Sequence, residues 1–171
     1  MATTRPYITL VQMFSALPHT TGLPLLDSQW DFLRARRAQR AASLINWLRR
    51  RRSCNRLPAL SRSAPLAAGP ARLEVVSLPA IVGTLEPTPN FDSHFRPASN
   101  VVRWRWERIA LAHRKGAALP PVVLRRQPDG YYVVDGRHRV SVARALGYSD
   151  IDASVSGLPP SVASNSPRIP R

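Results

Sequence analysis

Cysteine is nearly absent from the chain, because Cys54 is the only one among 171 residues. A single thiol cannot form an internal disulfide or a cysteine-rich metal site. Long apolar runs are missing too, since arginine, proline or aspartate interrupts each one well short of the roughly 20 residues that cross a bilayer. The sequence therefore predicts no transmembrane segment and favours a reducing, cytoplasmic setting.

Acidic residues are also scarce, with 10 Asp and Glu against 25 Lys and Arg and a formal net charge of +15. Lys115 is the only lysine, so nearly all of the positive charge is carried by guanidinium groups. Such a chain attracts polyanions over long range, and nucleic acid is the first partner that the charge predicts. The alternative is that this Arg-, Ala- and Pro-rich composition reflects a GC-rich coding sequence, and the charge alone leaves both interpretations open.

Composition divides the chain into five segments. Residues 1–26 carry three prolines without a hydrophobic period and are predicted to be extended or disordered. Residues 27–52 predict an Arg-rich amphipathic helix, and residues 53–72 a linker rich in Pro, Ser and Ala. Residues 73–156 predict a single small domain, and residues 157–171 a disordered tail.

The predicted N-terminal helix begins with a capping pair, Ser28 and Asp31. Apolar residues at helical spacing form its expected packing face: Trp30, Leu33, Ala41, Leu44, Ile45 and Leu48. Seven arginines are the candidate contacts to DNA phosphates: Arg34, Arg37, Arg40, Arg49, Arg50, Arg51 and Arg52. Packing of the apolar face on a partner protein and binding to a membrane surface remain open as alternatives.

The segment 73–156 combines short apolar alternations with helical periods. Pro128 and Gly130 mark a turn, because proline fixes φ at the second turn position and glycine permits positive φ after it. The predicted elements are a strand at 73–77, a helix at 101–115 capped by Asn100, hairpin strands at 121–124 and 131–134, a helix at 136–146 and a strand at 151–155. This mixture predicts an α+β fold with a mixed sheet, a β-hairpin and flanking helices.

The most informative segment runs from Asp135 through Gly136 into the last helix. The first amides of a helix have no internal partners and the helix dipole places positive charge there, so this junction suits a phosphate. Gly136 permits close approach of the backbone to a ligand, while Arg137 and Arg139 add guanidinium groups. His138 can donate a hydrogen bond or carry a proton. In the structural alternative the same residues only make a turn, with Asp135 capping the helix and both arginines in solvent.

An ordered series of motifs adds a family resemblance. The motifs are Leu119-Pro120-Pro121-Val122-Val123-Leu124, the hairpin, Asp135-Gly136-Arg137-His138-Arg139, Ala145-Leu146-Gly147 and Ile151-Asp152-Ala153. Together they resemble the core of the ParB/sulfiredoxin family, in which the glycine and the residues after it lie on the phosphates of a nucleotide. The resemblance implies that a nucleotide, CTP or ATP/ADP, binds at Gly136, Arg137, His138 and Arg139, with Mg²⁺ as a candidate cofactor.

Arg137 departs from the family pattern. Partitioning proteins have Gly-Glu-Arg-Arg at the matching positions and sulfiredoxins have Gly-Cys-His-Arg. Sulfiredoxin chemistry needs a thiolate beside the phosphate, so this activity is not expected with an arginine there. The missing glutamate also argues against nucleotide hydrolysis of the partitioning-protein type, although backbone amides can still bind the nucleotide.

The sequence thus predicts a ParB-like nucleotide-binding protein with a basic arm, cytoplasmic or nucleoid-associated, with a DNA-associated accessory or regulatory role such as partitioning or transcription control. The first alternative is a nuclease or phosphotransferase in which His138 is the acid or base and Asp135 or Asp92 assists. The second is a non-catalytic interaction module in which the phosphate site is vestigial.

Two further patterns carry less information. Trp104 lies off the expected core face of its helix between Arg103 and Arg105, where it can stack on a base or pack under a neighbouring loop. Asp92 and His94 are close in sequence but follow no metal-ligand spacing. No metal site is therefore predicted.

Overall fold

The computed structural model describes residues 20–48, 56–60 and 70–157. Its helices and strands are α1 Pro24–Leu48, β1 Arg72–Ser77, β2 Ile81–Thr84, α2 Arg103–Arg114, β3 Val122–Gln127, β4 Gly130–Asp135, α3 Arg137–Ala145 and β5 Asp150–Ser156. Short 3-10 turns at Leu78–Ala80 and Asn100–Val102 precede β2 and α2. The predicted α+β class is confirmed. None of the described helices combines the length and apolar character that a membrane span requires.

The five strands form one mixed sheet in the order β1-β5-β3-β4-β2. β3 and β4 are the predicted antiparallel hairpin, and Gly130 after its turn has a φ of 142°. β5 lies parallel to β3 and β2 parallel to β4, while β1 pairs antiparallel with β5. Because Val123 pairs with Asp135, the end of β4 and the start of α3 lie beside the beginning of β3.

Trp106 of α2 joins the three helices. Its side chain is fully buried, and its ring meets Phe32 of α1 edge-on with 5.6 Å between the ring centroids. Its indole N–H donates to Ser141 Oγ of α3 over 2.8 Å, so the one polar group of this large apolar side chain is satisfied inside the core. The sheet contributes the fully buried residues Val122, Leu124, Val133 and Ala153.

α2 begins differently from the prediction and ends as predicted. Ser99 is the capping residue, because its Oγ accepts the Val101 N–H over 3.2 Å, whereas Asn100 is the first residue of the 3-10 turn. After α2, the Ala117 N–H donates to Ala112 O over 3.0 Å and Gly116 has a φ of 67°. This is the glycine termination that the sequence predicts.

α1 packs on α2 with a face that the apolar pattern did not predict. The helix begins at Pro24, so residues 24–26 are helical, and Ser28 and Asp31 lie inside the helix instead of capping it. Trp30, Leu44 and Leu48 of the expected packing face are 51%, 56% and 63% exposed. The buried face instead consists of Asp27, Ser28, Asp31, Phe32 and Ala35.

A buried ion pair between α1 and α2 explains this orientation. Arg114 Nε lies 2.7 Å from Asp31 Oδ2, and Arg114 Nη1 lies 3.5 Å from Asp27 Oδ2. The hydrogen bond that Arg114 donates to the Asp31 carboxylate is the main cause that raises the pKa of Arg114. Because the partner of these acids is on another helix, the spacing of apolar residues within α1 could not reveal which face is buried.

Part of the predicted linker lies along the edge of the sheet. Leu60 N–H donates to Thr84 O and Thr84 N–H to Pro58 O, both over 2.9 Å, and Leu57 is buried. Residues 56–60 therefore extend the sheet beyond β2 instead of connecting two units freely. The rest of that linker before residue 70, most of the predicted N-terminal segment and residues 158–171 of the predicted tail lie outside the described residues.

Asp31→Asn tests the buried ion pair. The amide leaves the charge of Arg114 under-compensated in the interior, and we expect the free energy of unfolding to fall by about 3 to 5 kcal/mol in urea denaturation. The matched control is Glu107→Gln, which breaks the more exposed pair between Arg103 and Glu107, 2.7 Å apart, and should cost less than about 1 kcal/mol. Equal losses in the two variants would contradict the assignment.

Candidate phosphate-binding site

The chain passes from β4 into α3 through a left-handed turn at Gly136, with φ 101° and ψ 18°. A Cβ at this position would lie 2.7 Å from Val122 Cγ1 and 3.1 Å from Arg139 Nε. The space that glycine leaves open is thus filled by side chains of β3 and α3. In the structure Gly136 permits close packing of the protein on itself, which differs from the expected close approach of a ligand.

Arg139 folds back over this turn. Its Nη1 donates to Pro120 O and to Pro121 O, and its Nη2 donates to Asp135 Oδ2 over 2.7 Å. The guanidinium thereby ties the segment before β3 to the end of β4 and to α3. Asp135 was expected to cap the helix in the structural alternative and to assist catalysis in the enzyme alternative. It makes no side-chain capping bond at Gly136 and is the partner of Arg139. Both predicted site residues are engaged with the protein itself.

Two other arginines lie near the first turn of α3. Arg137 is half-buried, and Arg105 of α2 is exposed. Neither has a hydrogen bond or ion pair with another residue in the described part of the chain. Both charges act on the imidazole of His138, whose pKa they lower. Arg105 was not predicted as a site residue, because only the packing of α2 on α3 through Trp106 brings its charge within reach of His138.

His138 is a neutral residue of this site. Its ring packs edge-on against Phe91, with 5.2 Å between the centroids. Its pKa is lowered to about 4, mainly by burial and to a smaller extent by the charges of Arg105 and Arg137, while Asp135 opposes this shift. At pH 7 the imidazole therefore offers hydrogen bonding but adds no charge.

The backbone completes the site. The first helical hydrogen bond of α3 runs from Val140 N–H to Gly136 O over 3.0 Å. Within residues 20–48, 56–60 and 70–157, no acceptor is found for the amides of Arg137, His138 and Arg139. These amides and the positive end of the helix dipole can hydrogen-bond an anion, while the two guanidinium groups supply charge.

Asp92, expected as a second catalytic acid, organises a loop. Its buried carboxylate accepts the His94 and Arg96 amides over 2.9 Å each and pairs with Arg96 Nε over 2.8 Å. These bonds hold the loop that brings Phe91 onto His138. Among the described residues, no group of three His, Cys, Asp or Glu side chains is arranged to hold a metal ion.

Among the predicted arginines of α1, one forms an ion pair within the protein, and others are exposed to solvent. Arg34 is half-buried and pairs with Asp31 over 2.7 Å, whereas Arg37 and Arg40 are exposed. The other predicted DNA contacts, Arg49, Arg50, Arg51 and Arg52, lie outside the described residues. Arg37 and Arg40 are therefore the members of the predicted set that are both described and exposed.

Comparison of the chain with protein-family models, with curated proteins and with solved structures found no match. The resemblance to the ParB/sulfiredoxin family accordingly stays a prediction. What the site can do follows from its own geometry. Among the described residues, the first amides of α3 and the guanidinium groups of Arg137 and Arg105 have no partner, and His138 adds a neutral imidazole.

Gly136→Ala tests the turn. A left-handed alanine costs roughly 1 to 2 kcal/mol, and the collision with Val122 adds an overpacking cost of about 1 to 3 kcal/mol. Gly116→Ala is the control, because Gly116 is also left-handed but no atom lies within 4 Å of the point that an added Cβ would occupy. We expect urea denaturation to show a clearly larger loss for Gly136→Ala, and equal losses would contradict the packing described.

The pKa of His138 can be measured by NMR titration of its ring protons. We expect a value of about 4 and an increase in Arg137→Gln, which removes one like charge. Because the ordinary value is about 6.5, the unfolded chain binds more protons between about pH 7 and pH 4. The free energy of unfolding should therefore fall as the pH decreases through this window, and His138→Gln should reduce that fall. A His138 that titrates near pH 6.5 would contradict its burial.

Proposed function

We propose that the chain binds a phosphate-bearing ligand at the N-terminus of α3 and acts as a DNA-associated accessory or regulatory protein. The observation that carries this proposal is a helical turn whose first three amides have no acceptor in the described part of the chain. Arg137 lies in this turn, and the charge of Arg105 on the neighbouring helix α2 acts on His138 within it. Amides recognise phosphate oxygens by direction, and guanidinium groups recognise their charge.

The resemblance to the ParB/sulfiredoxin family supports a nucleotide as this ligand, with CTP, ATP and ADP as the candidates. The residue roles are rearranged relative to the sequence-based expectation. Arg105 and Arg137 neutralise the phosphates, His138 orients an oxygen, and Arg139 with Asp135 holds the turn. Mg²⁺ would enter through the phosphates of the ligand, since it commonly binds through one or two carboxylates and substrate phosphates.

Association with DNA rests on charge. The net charge of +15 and the exposed Arg37 and Arg40 on α1 favour contacts to phosphates, which bind without selecting a base sequence. In this proposal the exposed arginines of α1 hold the protein on DNA, and the site at α3 binds the phosphate-bearing ligand.

A nuclease or phosphotransferase is the second candidate, and one observation favours it. His138 is neutral at pH 7 and lies beside the phosphate site, which is the state that a general base requires. With a pKa of about 4, however, the imidazole is a weak base, so binding is the better-supported function. Phosphodiester or nucleotide turnover that His138→Ala abolishes would favour the enzyme.

Calorimetry with CTP, ATP, ADP and inorganic phosphate tests the binding site. We expect Arg105→Gln and Arg137→Gln each to weaken binding by roughly tenfold, since a hydrogen bond to a charged group contributes about 1.5 to 3 kcal/mol. Arg72→Gln is the control, because it removes the same charge from an exposed position on β1. Ligand binding should also raise the pKa of His138, since the anion offsets the two positive charges.

Two results would overturn the proposed site. One is the absence of binding by all four ligands. The other is binding that Arg105→Gln and Arg137→Gln weaken no more than Arg72→Gln does, which would indicate attraction by net charge alone.

A further inference from the structure

The solvent face of α2 carries an aromatic ring among basic residues. Trp104 is 69% exposed, and the guanidinium of Arg108, one turn later, lies over its ring at 4.5 Å from the centroid. Val101, one turn earlier, is 84% exposed. A single guanidinium covers only one side of an indole, so this ring remains open to a second planar partner.

Arg105 connects this face with the phosphate site. Arg105 follows Trp104 in the chain and is one of the two arginines whose charges reach His138. Arg108 and Lys115 share the solvent side of α2 with Trp104, because residues three, four and seven positions apart lie on one helix face. The acid of this helix, Glu107, already pairs with Arg103 over 2.7 Å. The positive charge around Trp104 is therefore not compensated by that acid.

An open aromatic ring beside a positive phosphate site matches one class of ligand. Proteins that bind single strands combine a basic groove for the backbone with aromatic side chains on which bases stack, and arginine adds a cation–π contribution. In a duplex the bases are stacked on each other and their faces are not accessible. An exposed ring such as Trp104 is therefore suited to stacking on unpaired bases and not on those of a duplex.

We propose that the ligand of the α3 site is a single-stranded nucleic acid, with a base stacked on Trp104 and a neighbouring phosphate bound by Arg105, Arg137 and the first amides of α3. This inference rests on the proposed function and narrows its ligand class. A strand also reaches Arg108 and Lys115, so it binds more tightly than a free nucleotide, which supplies one base and one phosphate group.

The experiment compares two labelled strands with equal numbers of phosphates, a short oligothymidylate and an abasic strand, by fluorescence anisotropy at one salt concentration. We expect the oligothymidylate to bind about tenfold more tightly or better, as stacking on one aromatic side chain commonly gives. Trp104→Ala should remove this preference and leave the abasic strand unaffected, while Trp104→Phe should retain part of it. Trp30→Ala is the matched control, since Trp30 is 51% exposed on α1.

The two strands also separate this inference from the function on which it rests. Arg137→Gln should weaken both strands by the same factor, because both carry the same phosphates. If Arg137→Gln has this effect and Trp104→Ala leaves the base preference intact, stacking on Trp104 is refuted and the phosphate site stands. If neither strand binds, or if Arg137→Gln changes nothing, both proposals fail. Tighter binding of a matched duplex than of the single strand would overturn the ligand class.

Discussion

The burial of Trp106 is the constraint on which the arrangement of the helices and the candidate site depends. Its ring lies against Phe32 of α1 and its N–H bonds to Ser141 of α3, so the rotation of α2 about its axis is fixed on two sides. Successive residues of a helix point about 100° apart. With Trp106 fixed inward, Trp104 and Arg105 must lie away from the core, and the surface that we assign to phosphates and bases is a direct consequence of core packing.

A second consequence concerns the division of work among the arginines at α3. Arg139 is held by two carbonyl groups and by Asp135, so it stabilises the turn that presents the free amides. Arg137, two positions earlier on the helix, points to a different side and has no partner among the described residues, so our proposal assigns it to the anion. The two arginines of this short motif thus differ in role: Arg139 stabilises the turn, and Arg137 is the one that we propose to contact the anion.

The parts of the fold that were predictable from the sequence depend on local chemistry. The hairpin turn at Pro128 and Gly130, the end of α2 at Gly116 and the alternation in β5 are each fixed by neighbours a few residues away. The sequence-based predictions were wrong or incomplete where the structure depends on residues that are distant in the chain. The buried face of α1 depends on Arg114, the edge position of residues 56–60 depends on β2, and the part of Arg105 in the site depends on the contact between α2 and α3. The strand-glycine-helix junction was recognisable, but which of its arginines is free depends on carbonyl groups that precede β3.

Composition alone left open whether the positive charge serves a nucleic-acid partner or reflects a GC-rich coding sequence. The positions of the acidic residues bear on this question. All ten Asp and Glu lie among the described residues. Six form ion pairs with arginines, and the carboxylates of Asp27, Asp31 and Asp92 are buried. Asp129 accepts the hydroxyl of Tyr132 and raises its pKa to about 12. Because most acids are occupied in internal contacts, few remain to offset the exposed arginines. Whatever bias in the coding sequence produced this composition, the ten acids leave a formal net charge of +15, and this charge supports the polyanionic partner that we propose.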